Sequence, residues 1–187
     1  MPDEEERKGL LRLARRSVRA AAEGSPPPEP PEGGIYGREG GAFVTLHKRD
    51  ELRGCIGHFT GEGGIGRTVV KMAAAAAVQD PRFPPVRPDE LENIDIEISI
   101  LSKMVPAKPE EVQPGKHGVY VRYGPFSGTL LPQVATEQGW DRETFLDHSC
   151  LKAGLDPGAW RDGRADIMIY TAEVFGEKDF QEKEDVE

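Results

Sequence analysis

Cysteine is scarce in this chain: Cys55 and Cys150 are the two present in 187 residues. That is too few for the disulfide framework that holds small secreted domains together. The two form no Cys-x-x-Cys pair, and His47, His58, His117 and His148 show no i, i+4 spacing. The local zinc signatures are therefore missing, and no metal is expected. No run of about 18 apolar residues exists, so no segment can cross a bilayer as a helix. The opening Met1-Pro2-Asp3-Glu4-Glu5-Glu6 is acidic and has no apolar stretch of signal-peptide length. The expected compartment is the cytoplasm, with both thiols reduced. Positive charge is also short, with 24 Lys and Arg against 33 Asp and Glu, a net −9. Phosphate backbones and anionic membranes both need clustered cations, so neither nucleic acid nor a membrane is expected as a partner. The nucleophile elbow Gly-x-Ser-x-Gly is absent. Gly61-Glu62-Gly63-Gly64-Ile65-Gly66 opens a helix but lacks the P-loop lysine and serine and carries an acid. No nucleotide and no other cofactor is expected.

What is present suits one domain, or one domain with a small appended lobe. Apolar residues make up 37% and charged residues 30%, a globular mix with a charged surface. Leu10, Leu11, Ala14, Val18 and Ala21 recur at three- and four-residue steps, which predicts a docked amphipathic helix over 4–23 that Gly24 stops. Residues 25–34, rich in proline, read as a stiff internal connector leading straight into a strand. Strands are expected at 42–47 and 52–59, joined as a hairpin through 48–51. A helix follows over 65–79, built on the alanine run Ala73 to Ala77 and ended by Asp80-Pro81. In 93–102, Ile94, Ile96, Ile98 and Ile100 alternate with polar residues as a strand with one buried face. Further strands are expected at 118–123 and 128–131, then a helix over 143–153 capped by Asp141 and Gly154. Residues 165–174 read as one late central strand, and those from 177 onward as a charged tail. Hairpin-length connections dominate, which points to an α+β fold with a largely antiparallel sheet flanked by helices and a second, smaller lobe.

Leu52-Arg53-Gly54-Cys55-Ile56-Gly57 resembles the signature hexapeptide of the AMMECR family. Four more segments fit that family in the same order: Asp80-Pro81-Arg82-Phe83, then Ile96 to Ser102, then Leu130 to Ala135, and last Gly139-Trp140-Asp141 leading to Phe145-Leu146 and Lys152 to Leu155. The match runs from about Leu10 to Glu177. The proline-rich 25–34 loop departs from the commoner pattern, and His58 follows the hexapeptide where family members vary, so His58 is discounted as a site residue. The resemblance implies an intracellular α+β protein with a larger, sheet-containing lobe and a smaller one. It also implies a place in the AmmeMemoRadiSam system, with a Memo-like protein and a radical-SAM protein as partners. It supplies no reaction.

Candidate chemistry centres on Cys55. Along an extended strand Arg53, Cys55 and Gly57 share a face, and a guanidinium there would favour the thiolate. The competing reading is a small buried residue between packed layers. Asp80 and Arg82 either satisfy loop amides and each other or form a cleft wall that binds an anionic ligand. Glu97, opposite the isoleucines, is either a surface carboxylate or, in a cleft, a general acid/base. His117 is a base candidate or a surface residue, and Gln133 reads a ligand or satisfies a loop. His148 and Cys150 are expected to be structural. Two functions compete: an enzyme or enzyme partner with Cys55 in a cleft, and a non-enzymatic ligand- or protein-binding module in which the glycine-cysteine strand only packs.

Overall fold

The computed structural model describes residues 2–61 and 63–181, so Glu62 of the glycine-rich segment and residues 182–187 of the charged tail lie outside the described residues. The chain forms two compact units. The first takes the residues up to Leu101 and those from Glu173 onward, and the second takes Ser102–Ala172. Each carries one four-stranded sheet.

In the first unit, helix α1 (Glu4–Glu23) starts at a capping box in which Asp3 and Glu6 satisfy each other's backbone N–H, and ends at left-handed Gly24. A one-turn helix α2 (Gly34–Gly37) interrupts the connector before strand β1 (Gly41–Lys48), where the sequence predicted a direct run into the strand. The turn forms because Gly33 and Gly34 both take positive φ and fold the chain back on itself. Strand β2 (Glu51–His58) returns beside β1. Helix α3 (Gly64–Val78) follows, then strand β3 (Ile94–Leu101) and, after the second unit, strand β8 (Ala172–Gly176) and the short helix α6 (Lys178–Gln181). The sheet order is β2-β1-β3-β8. Ala42, Val44 and Leu46 of β1 alternate inward with Ile94, Ile96, Ile98 and Ile100 of β3, and all join one core with Leu10, Ala14 and Val18 of α1 and Ile65, Val69, Ala73 and Ala76 of α3. The isoleucine register is therefore the one that alternation predicts.

In the second unit the strands are β4 (Val105–Pro106), β5 (Gly118–Tyr123), β6 (Phe126–Leu130) and β7 (Asp166–Tyr170), in the order β4-β7-β5-β6. Helix α4 (Pro132–Glu137) and helix α5 (Arg142–Lys152) complete it, with Asp141 accepting the Thr144 N–H as N-cap. Val119, Val121, Phe145, Leu146 and Cys150 form its core.

One expectation is corrected. Residues 165–174 are not one central strand: pairing breaks at Thr171, so β7 belongs to the second sheet and β8 to an edge of the first. The two apolar runs bury against two different cores, Ile167 in one and Phe175 in the other, and an uninterrupted apolar pattern cannot reveal that. No helix among the described residues is long and apolar enough to cross a membrane.

Ile96 is 1% exposed. Ile96→Ala is expected to lower unfolding stability by about 2–5 kcal/mol, read as a lower denaturant midpoint at unchanged slope.

Candidate functional site on the polar face of the first sheet

Antiparallel pairing aligns Thr45 with Cys55 on one side and with Glu97 on the other. The three side chains alternate with the buried Val44, Leu46, Ile96 and Ile98, so they stand as one row on the face that α1 and α3 leave uncovered. Strands lie about 4.8 Å apart, which sets the Cys55 and Glu97 backbones about 10 Å from each other. The Thr45 hydroxyl donates to Cys55 Sγ at 3.3 Å. Cys55 is half-buried. The next row on this face is His47 with Asp95.

His47 and Glu97 border a cleft of about 390 Å³ closed by the turn after β8. Most carboxylates around it are taken. Lys178 pairs with Asp50 and, at 3.3 Å, with Asp95, and the Lys178 contact holds the Asp50 carboxyl below its ordinary range. Arg15 donates through Nε to Glu177 at 2.9 Å, and Glu177 also accepts the Ile96 N–H at 2.9 Å. Asp179 accepts the Gly176 N–H at 2.8 Å. The Glu97 carboxylate is the exception: among the described residues it has no hydrogen-bond or ion-pair partner.

The glycines flanking Cys55 serve packing on opposite faces. A Cβ on Gly54 would collide with the Ala76 carbonyl oxygen of α3, and one on Gly57 with the Phe43 ring. Gly54 thus admits the helix backbone, the close approach that a glycine inside a strand signals.

Asp80 and Arg82 meet Cys55 through its backbone. Asp80, 4% exposed, accepts the Cys55 N–H at 2.9 Å and Arg82 Nη2 and Nε at 2.7 and 2.9 Å. Arg82 Nη2 also donates to the Cys55 carbonyl at 3.2 Å. The Arg82 hydrogen bonds, aided by the amides of Cys55 and Arg82, hold the Asp80 carboxyl far below the usual carboxylate range.

Arg53, expected beside the thiol, is engaged elsewhere. Its guanidinium donates to Glu90 at 3.0 and 3.3 Å and to the Pro84 carbonyl at 2.9 Å. Register slips between Leu46 and His47, leaving Arg53 as the unpaired residue of a bulge, and bulges re-aim side chains. Lys48 Nζ reaches the same carboxylate at 2.7 Å. Arg53 first and Lys48 second lower the Glu90 pKa to about 2. The cation bonded to the Cys55 peptide is Arg82.

His117 and Gln133 lie in the second unit. His117 is nearly buried, and its Nδ1 accepts the Gln113 N–H at 3.3 Å. Burial, with Lys116 nearby, pushes its pKa down, so the ring is neutral at pH 7. Gln133 is half-buried in the first turn of α4. His148 stacks on Trp140 at 4.0 Å. Cys150 is fully buried, and that burial raises its thiol pKa. Among the described residues no cluster of His, Cys, Asp and Glu is arranged to hold a metal ion. Sequence reasoning missed Thr45 and Glu90. The hairpin register gives Thr45 away once the bulge is known, whereas Glu90 sits in a 3₁₀ turn (Pro88–Asn93) with no periodic signal.

The AMMECR1 family model matches residues 11–175. A protein of Methanosarcina acetivorans is 40% identical over 96% of this chain and 95% of its own length. One from Pyrococcus furiosus is 41% identical over 90% and 87%. The crystal structure of an uncharacterised protein from Pyrococcus horikoshii superposes with a TM-score of 0.79 at 38% identity, covering 90% of this chain and 89% of that one.

The Glu90 pKa lies below its ordinary 4.5 in the folded protein. It therefore adds stability above about pH 4.5 and loses it as pH falls toward 2. Glu90→Gln is expected to lower stability by about 2 kcal/mol at pH 7, with the gap to wild type closing below pH 4 in denaturant titrations.

Proposed function

The chain belongs to the AMMECR1 family, and we propose that it acts as an enzyme, or as the partner of one, through the polar face of its first sheet, with the Cys55 thiol as its reactive group. The observation that carries this reading is the row Cys55–Thr45–Glu97, in register across three strands. The Thr45 hydroxyl donates to the sulfur and so fixes where Sγ stands on that face. A carboxylate with no hydrogen-bond or ion-pair partner among the described residues, beside a cleft and about 10 Å from the thiol backbone, is placed to take or give a proton on a small bound molecule. His47 borders the same cleft. Arg53 supports the site indirectly, by fixing the bulge at the start of the thiol-bearing strand through Glu90.

A second reading has its own support. Gly54 and Gly57 are both accounted for by packing against Ala76 and Phe43, as a non-enzymatic binding module would require. Joint action with Memo-like and radical-SAM proteins enters through the family resemblance alone.

Alkylation of the native protein over a pH series, with labelled peptides identified by mass spectrometry, separates the two readings. Cys55 is expected to label well before Cys150, and Thr45→Val, which removes the hydroxyl bonded to sulfur, to slow labelling about threefold at neutral pH. A Cys55 that stays unlabelled until denaturant is added makes the binding module the leading account. Co-expression with a Memo-like or radical-SAM protein is expected to give a complex that co-elutes in size-exclusion chromatography. Separate elution of every pair removes direct partnership from the proposal.

A further inference from the structure

Strand β2 lies at the edge of its sheet. Outward-facing backbone groups of an edge strand have no neighbouring strand to bond, and such a strand opens locally more readily than a central one. Cys55 is aligned with Thr45 of β1, yet both its N–H and its C=O are bonded to groups that are not part of the sheet. The Asp80 carboxylate accepts the N–H at 2.9 Å and the Arg82 guanidinium donates to the C=O at 3.2 Å. One acceptor and one donor are presented side by side, as the backbone of an adjacent strand would present them. The pair is itself rigid. Asp80 is 4% exposed and takes three hydrogen bonds from Arg82, two from the guanidinium and one from its backbone N–H. It follows directly on α3, whose Ala76 packs against Gly54, the residue next to Cys55. The loop that leaves the helix packed on β2 thus carries the side chains that close its edge.

We propose that Asp80 and Arg82 are positioning residues for Cys55, replacing a fifth strand at the one point on the edge where the thiol is presented. This rests on Cys55 being the reactive group. The pair brings a matched negative and positive charge to the thiol's own peptide, so it fixes the backbone without tilting the local potential far toward either sign. Altering one charge at a time breaks that balance in opposite directions. Asp80→Asn keeps an oxygen to accept the Cys55 N–H but removes the negative charge, which favours the thiolate. Arg82→Gln removes the cation and leaves a buried carboxylate, which disfavours it. An edge cap with a purely structural role would weaken both variants alike and would not separate their labelling rates.

The experiment is the pH profile of Cys55 alkylation in wild type, Asp80→Asn, Arg82→Gln and Arg82→Lys, read by mass spectrometry on the whole chain. At neutral pH Asp80→Asn is expected to label about threefold faster than wild type and Arg82→Gln about threefold slower, with Arg82→Lys falling nearer wild type. Hydrogen exchange of the wild-type protein is the second measurement, and the Cys55 amide is expected to be protected despite its edge position. If wild-type Cys55 does not label in the native state, the thiol reading fails and takes the positioning role with it. If wild type labels but both charge variants label at its rate, or change in the same direction, the positioning role alone is overturned. Fast exchange at the Cys55 amide overturns it even if a variant does not fold.

Discussion

The first unit depends on the close contact of an alanine-rich helix with an isoleucine-rich strand face. Ala73, Ala76 and Ala77 of α3 are small enough to bring the helix backbone down onto the sheet, and Gly54 clears the last obstruction beneath Ala76. Short side chains on the helix and branched ones on β3 fill the space between them at interior density. With that face committed to apolar packing along the middle of the sheet, the polar side chains Thr45, Cys55 and Glu97 are driven to the other one. The row of Cys55, Thr45 and Glu97 is thus a by-product of how the core is made, and its register is as fixed as the core's. A slip of one residue would exchange the two sets of side chains entirely.

The same contact sets the course of the chain after α3. The helix ends where Pro81 follows Asp80, and the chain turns back across the sheet edge, with the Val86 N–H bonding the Ala77 carbonyl at 2.8 Å. That return brings Asp80, Arg82, the Pro84 carbonyl and Glu90 along β2 in sequence order. The edge that chemistry would otherwise leave ragged is lined by side chains and carbonyls from one short segment, a form of protection that proteins use against unwanted strand pairing.

Legibility in the sequence followed periodicity. The helix over 4–23, the isoleucine alternation and the hairpin of β1 and β2 could be read because each repeats a spacing over several residues. The face assignment of Cys55 and Glu97 came from the same alternation. What could not be read were features set by single events. The bulge at Arg53 turns a guanidinium away from the thiol toward Glu90. The break at Thr171 divides an apolar run between two cores. The short helix α4 hides behind Pro132, which looks locally like a strand end. The hydrogen bond from the Cys55 N–H to the Asp80 carboxylate joins residues 25 apart, with no composition cue to announce it.

The first unit is discontinuous along the chain, and this has a consequence for its birth on the ribosome. Arg15 bonds Glu177 at a separation of 162 residues, and Arg7 pairs with Glu173 at 2.6 Å. Strand β8 and these acidic partners emerge only after the whole of Ser102–Ala172 has been made. At the 5–20 residues per second of translation, α1 must wait roughly ten seconds or more for its ion-pair partners, with its basic side chains open to solvent. The inserted unit, contiguous in sequence, has every residue of its own core available before the first unit can close. Vectorial synthesis therefore favours an order in which the later-encoded unit is finished first.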